Sequence, residues 1–181
     1  MAYSLKLNTP RLSIVGINDI NIYELVRYFL NNHHHLLQGG GFVPNTAQDV
    51  EDVYEQWLSN MDRDTEVRFF IYLKNRLIGV AGISNIVRGA FQAGYLGYSL
   101  AENEQSNGYM TEAVEEITDF GFYALNLHRI MANYRPDNIA SGRVLEKAGY
   151  RKEGFAEKYL RVNGRWEDHV LTAITNDNWA N

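Results

Sequence analysis

A chain of 181 residues, 45% hydrophobic and 22% charged, is long enough to bury a core of ordinary size. With no cysteine, disulfides, thiolate-held zinc and a thiol nucleophile are excluded. A formal net charge of −5 argues against a nucleic-acid binder, which carries a basic footprint, and is compatible with a cationic amine or basic protein as partner.

No run approaches the roughly 18–20 apolar residues of a membrane span. Residues 1–6 hold neither a basic segment nor an apolar stretch of signal-peptide type, so a cytoplasmic location is expected. No repeat or linker is visible, and residues 1–181 read as a single mixed α/β domain. Arg11 to Ile17 alternates as a strand. Asn18 or Asp19 can cap a helix reaching about Asn32, with Ile22, Leu25, Val26 and Phe29 on one face. His33 to Gly41 reads as a loop. A second helix starts near Asn45 or Thr46 and carries Val50, Val53, Tyr54, Trp57 and Leu58. Val67–Leu73 and Leu77–Ile86 are strands around a Lys74-Asn75-Arg76 turn. Ala93–Leu100 is the next strand, and Met110–Leu125 an amphipathic helix. There Ala113, Ile117, Phe120 and Ala124 face inward, and Glu112, Glu115, Glu116 and Asp119 outward. Arg129–Tyr134 is a strand and Ile139–Ala148 a short helix. Phe155–Val162 and Arg165–Thr175 form a hairpin turning at Asn163-Gly164.

The stretch that suggests chemistry is Gln105-Ser106-Asn107-Gly108-Tyr109-Met110. It joins the Tyr95–Leu100 strand to the amphipathic helix. The first N–H groups of a helix lack internal partners and carry the positive end of its dipole, so this junction can hold an anion such as phosphate. Gly108 would let a phosphate approach the backbone. The plainer reading is a helix start capped by Ser106 or Asn107. Gly79, Gly82, Gly94 and Gly97 lie inside strands and are read as marking bulges or close packing.

Gln105-x-x-Gly108-x-Met110 after a strand resembles the cofactor motif of the GNAT N-acetyltransferases. Thr111-Glu112-Ala113, Asn138-Ile139-Ala140-Ser141 and Lys147-Ala148-Gly149-Tyr150 resemble signatures of the RimJ/RimL branch. So do Ser84–Gly89, His128–Tyr134 and Gly164–Ala173, in order and spacing from Thr9 onward. The resemblance implies a GNAT fold: a central mixed sheet of about seven strands flanked by helices, its two parallel central strands splayed. It also implies acetyl-CoA as co-substrate, with pantetheine along the backbone of Tyr98, Ser99 and Leu100. The pyrophosphate would sit on the amides of Gln105, Ser106, Asn107, Gly108, Tyr109 and Met110, and Asn138 would touch the pantetheine arm. The implied acceptor is a protein N-terminus, the N-terminal alanine of a small-subunit ribosomal protein. No nucleic acid, membrane or metal is expected.

Some positions depart from the family pattern. Leu145 stands where many relatives carry a tyrosine acid, and Ser141, one turn earlier, matches the serine acid of the branch; it can equally be a helix-start serine. Asn133 stands where some relatives carry a glutamate base. Glu102, Glu104 and Glu112 are base candidates by proximity, and solvated surface groups otherwise. An α-amine needs little help to lose its proton, so ordered water can serve. The adjacent residues of the His33–His35 run diverge and make a poor metal site. An acceptor groove is expected between the first two helices and the terminal hairpin, which carries Tyr159, Arg161, Trp166 and His169. Two alternatives remain at this level: a small amine as acceptor, or a non-catalytic acyl-CoA-binding factor.

Overall fold

The computed structural model describes residues 5–40 and 42–180. The strands are β1 (Lys6–Asn8), β2 (Ser13–Gly16), β3 (Glu66–Leu73), β4 (Arg76–Val87), β5 (Ala93–Leu100), β6 (Arg129–Met131), β7 (Arg151–Val162) and β8 (Arg165–Thr175); the α-helices are α1 (Ile22–Gly39), α2 (Ala47–Asp62), α3 (Tyr109–Tyr123) and α4 (Ile139–Lys147). The strands form one sheet of 8, ordered β1-β2-β3-β4-β5-β6-β8-β7. The short β1, paired antiparallel to β2, adds a strand to the expected number. Among the described residues only β5 and β6 run parallel, and α3 supplies the crossover such a pair requires.

Each face of the sheet carries two helices. On one, Leu25, Phe29 and Leu36 of α1 and Val50 and Trp57 of α2 bury Phe70 and Val80. On the other, Met110, Ala113, Val114 and Ile117 of α3 and Leu145 of α4 cover Ile14, Phe69, Ile71 and Ala81. Phe69, Phe70 and Ile71 of β3 are therefore consecutive buried apolar residues, because both faces of the strand are covered there.

Local chemistry explains most boundaries. Thr46 and Asp49 form a reciprocal capping box that opens α2. Asn163 and Gly164, at φ 49° and 85°, give the turn geometry that matches a twisted hairpin.

Several expected boundaries move. The start of α1 is capped by Asn21, which accepts the Tyr23 N–H, because residues Ile17–Asp19 form a 3₁₀ turn. The expected loop from His33 is helix as far as Gly39, held by the burial of Leu36 on the face that carries Phe29. Gly40, at φ 91°, ends it, and Gly41 lies outside the described residues. α3 ends at Tyr123, so Ala124 caps it and faces solvent. β6 stops at Met131, and beyond it Ala132 bonds to Thr172 and Tyr134 forms an isolated bridge to Val170.

Candidate active site

The short β6 creates the cleft. β5 pairs with β6 through Ala93, Gly94 and Tyr95 only, yet β5 runs on to Leu100, still paired on its other edge with β4. Beyond Tyr95 the chain after β6 diverges. Ala132 and Tyr134 bond instead to Thr172 and Val170 of β8. From Leu96 to Leu100, one edge of β5 has no strand beside it among the described residues. Gly97 sits on that stretch, is exposed, and a Cβ there would meet nothing within 4 Å. It marks open space, not the close packing expected of it. Gly79 and Gly94 do mark close packing, where a Cβ would fall 2.9 Å from the Ser99 carbonyl and 2.7 Å from Ile83.

At the end of β5 the chain forms a 3₁₀ turn at Glu102–Glu104 and reaches α3 through Ser106 and Gly108, both left-handed at φ 64° and 79°. Gly108 is itself the N-cap, and no side chain among the described residues caps the helix. The expected cap by Ser106 or Asn107 is absent because Asn107 turns its amide back onto the Glu104 and Gln105 carbonyls. The Gln105 N–H is engaged by the Glu102 carbonyl at 3.4 Å. From Ser106 to Thr111 no backbone N–H has a protein partner among the described residues. This run of unpaired donors at a positive helix end is chemically suited to a pyrophosphate.

Arg11, which the linear pattern did not mark, braces this loop. Its guanidinium donates to the Asn107 carbonyl at 2.9 Å and to Glu112 at 2.6 Å, and lies 4.7 Å from the Tyr109 ring centre. Thr9 and the Arg11 N–H also bond Glu112. Burial raises the Glu112 pKa, but these bonds outweigh it and hold the carboxyl below its ordinary value. Glu104 is buried and paired with Arg76 at 2.6 Å. Neither glutamate is a free solvated group poised as a base, whereas Glu102 is exposed.

Two hydroxyl pairs flank the unpaired edge of β5. On the α4 side, Tyr98 Oη lies 2.8 Å from Ser141 Oγ. Burial pushes the Tyr98 phenol up to about 12, against the lowering bond with Ser141. Asn138 caps α4 by accepting the Ser141 N–H at 3.1 Å through Oδ1. Its Nδ2 has no protein partner among the described residues. On the α1 side, Ser99 Oγ lies 2.9 Å from Tyr28 Oη, and burial raises that phenol's pKa strongly. Asn32 accepts the Glu102 N–H, and His35 contacts Gln105 at 2.9 Å. His35, together with Asn32, thus braces the loop after β5. Leu145, at the tyrosine position of many relatives, is core. Leu100 packs against the core through its side chain. Met110 is buried, and Tyr109 stacks under Arg11.

Four polar side chains collect where the strands part. Asn133 accepts the Thr172 N–H, so its amide nitrogen faces Tyr159 Oη at 3.2 Å. Tyr159 interacts with Tyr95, whose proton that contact and then burial retain. The ring of His169 lies 5.6 Å from that of Tyr159.

Known proteins agree with this geometry. Residues 17–151 match the acetyltransferase (GNAT) domain family. The chain is 36% identical to the ribosomal protein uS5-alanine N-acetyltransferase of Escherichia coli strain K12, covering 97% of this chain and 93% of that one. The crystal structure of a ribosomal-protein-S5-alanine acetyltransferase from Vibrio fischeri superposes with a TM-score of 0.86 at 35% identity, covering 98% of this chain and 100% of the other. RimJ of Mycobacterium smegmatis, in complex with CoA-disulfide, superposes at 0.85 and 27% identity, covering 98% and 89%. The chain belongs to the GNAT acetyltransferase family and is an acetyl-CoA-dependent N-acetyltransferase.

Proposed function

We propose that the chain acetylates the N-terminal α-amine of a protein, with the N-terminal alanine of ribosomal protein uS5 as the acceptor. The observation that carries this is the 36% identity over 97% of the chain to an enzyme named for that reaction. The pantetheine arm would lie along the open edge of β5 at Tyr98, Ser99 and Leu100, with Asn138 Nδ2 free to donate to it. The pyrophosphate would take the N–H groups from Ser106 to Met110, with Gln105 holding the loop's entry to α1 through His35. The absence of cysteine favours direct attack over a thiol-bound acyl enzyme. The acceptor nitrogen attacks the thioester carbon, a C–N bond forms, the C–S bond breaks, and the nitrogen's surplus proton passes to solvent as the amide forms. Ser141 Oγ would donate its proton to the departing sulfur, with the Tyr98 hydroxyl behind it. Holding the reactants together, and backbone N–H groups stabilising the oxyanion, supply most of the acceleration.

A thiol-release assay at fixed acetyl-CoA tests the acceptor. The panel holds peptides starting with Ala or Ser, the same peptides blocked at the N-terminus but carrying lysine, free alanine and spermidine. The expected result is kcat/KM for the Ala-starting uS5 peptide well above all the others. Equal or better turnover of free alanine or spermidine would replace this acceptor with a small amine.

A further inference from the structure

The bond network leaves one nitrogen base in the cleft without a function. Pairing places Tyr95, Met131 and Ala173 together on the face of the sheet that α1 and α2 cover at its other end. Two-residue alternation along β8 carries Leu171 and His169 to that face as well. His169 is only 5% exposed. Its Nδ1 lies 3.1 Å from the Glu167 carbonyl. A carbonyl can only accept, so Nδ1 carries the proton and Nε2 holds the lone pair. Nε2 has no protein partner among the described residues, and it is not among the sealed unpartnered nitrogens and oxygens there, Glu66 Oε1 and Arg68 Nε.

A second feature of the fold is built around this ring. Ala156 pairs with His169 and Leu160 with Glu167, so Glu157, Lys158 and Tyr159 on β7 oppose Asp168 alone. Lys158 takes a left-handed φ of 49°, and its N–H is held by the Asp168 carboxylate at 2.8 Å. Such bulges re-aim side chains. This one lays Tyr159 over His169, with Tyr159 Oη reaching Asn133, two residues past the last β5–β6 pair.

We propose that His169 Nε2 takes the proton from the incoming ammonium group, with Tyr159 and the Glu167 carbonyl as the groups that position it. The amine arrives as R–NH₃⁺, and Nε2 removes one proton and becomes imidazolium. The neutral nitrogen then forms the C–N bond as the C–S bond breaks, its second surplus proton passes to solvent as the amide forms, and the thiolate takes a proton from Ser141 on the α4 side, which solvent restores. The imidazolium afterwards returns its proton to solvent. The titratable residues on the strands paired at His169 are Glu157, Lys158 and Tyr159 of β7 and Glu167 and Asp168 of β8, and Tyr95 of β5 interacts with Tyr159. This inference rests on acetyl transfer to an amine, not on which amine, so its test uses the best acceptor of the panel above.

His169→Gln keeps the size and polarity of the side chain. The expected result is unchanged acetyl-CoA affinity by calorimetry, with kcat/KM for the amine lowered on the order of 10²–10⁴-fold at pH 7. The deficit should shrink as pH rises past about 8, where an α-amine is largely unprotonated and needs no base. A purely structural role would give a deficit that does not depend on pH. Added imidazole should restore part of the rate to His169→Ala. Should the His169 variants fail to fold, Tyr159→Phe, on the edge strand, should show the same pH-dependent deficit at smaller size. A loss below threefold, or one constant from pH 6 to 9.5, would overturn the assignment.

Discussion

Ser141 is held at two points, its N–H by the Asn138 cap and its Oγ by Tyr98 at 2.8 Å. A serine that only started the helix would not need the second contact. If it supplies the proton to the departing thiolate, Ser141→Ala lowers kcat on the order of 10²–10⁴-fold and leaves acetyl-CoA affinity nearly unchanged. Single-turnover kinetics with calorimetry separate the two, and a near-normal kcat would return the residue to a structural role. The serine was legible from its spacing to Asn138, but Tyr98's partnership with it was not. Gly97 was misread, since alternation along a strand cannot say whether a glycine faces a neighbour or an opening. Because a side chain there meets nothing within 4 Å, Gly97→Leu should leave the melting temperature nearly unchanged. It should still raise KM for acetyl-CoA by about tenfold, equal to ~1.4 kcal/mol. A lost fold with intact affinity in the surviving fraction would refute the open-space reading.

Among elements, the junction of β5 and α3 carries the most chemistry. Among the described residues the helix start has neither a side-chain cap nor a partner for its first N–H groups, a cost of about 1 kcal/mol that an ordinary surface helix avoids with a serine or asparagine. Gly108, at φ 79°, permits the arrangement. A branched residue there strains the backbone by roughly 1–2 kcal/mol and covers the open amides. Gly108→Val should therefore weaken acetyl-CoA binding about tenfold or more, read by calorimetry on protein whose circular dichroism matches the wild type. Equal affinity would remove the phosphate site from this loop. The strand–glycine–helix order was visible in the sequence. The end of β6 at Met131 was not, because Ala132, Asn133 and Tyr134 continue the strand pattern, and only their bonds to β8 show that they leave β5.

Across the whole molecule, distant segments close around the cleft. α1 runs from Tyr28 at Ser99, past Asn32 and His35 at the loop after β5. It ends where Asn163 of the β7–β8 turn donates to the Leu37 carbonyl at 3.1 Å and Arg135 to that of Gln38 at 2.8 Å. On the other side, Thr9 and Arg11 tie the N-terminal segment to Glu112 of α3. Glu112 ionises more readily in the folded chain than when unfolded. Its contribution to stability is fully present above about 4.5, its ordinary value, and is lost as pH falls through the lower folded value. Glu112→Gln should therefore melt below the wild type at pH 7, with the gap closing in scans taken below pH 4.5. A gap that stays constant down to pH 3 would show that the carboxylate's charge is not what the bonds recognise.

The mixed α/β class, the helix–strand order and the loop from Gln105 to Met110 are written in local pattern. Apolar periodicity, turn residues such as Asn163-Gly164 and the strand-to-helix glycine act over a few positions. What only the tertiary structure decided are the features made by partners far apart in the chain. They include the helical state of His33–Gly39, held by burial of Leu36, and the clamp of Arg11 on a loop 96 residues away. The parting of β5 from β6 and the polar group of Tyr95, Asn133, Tyr159 and His169 belong with them. Each depends on which surfaces the sheet brings into contact. Side chains at such separations meet only once the strand order is complete, so no window of sequence contains both partners.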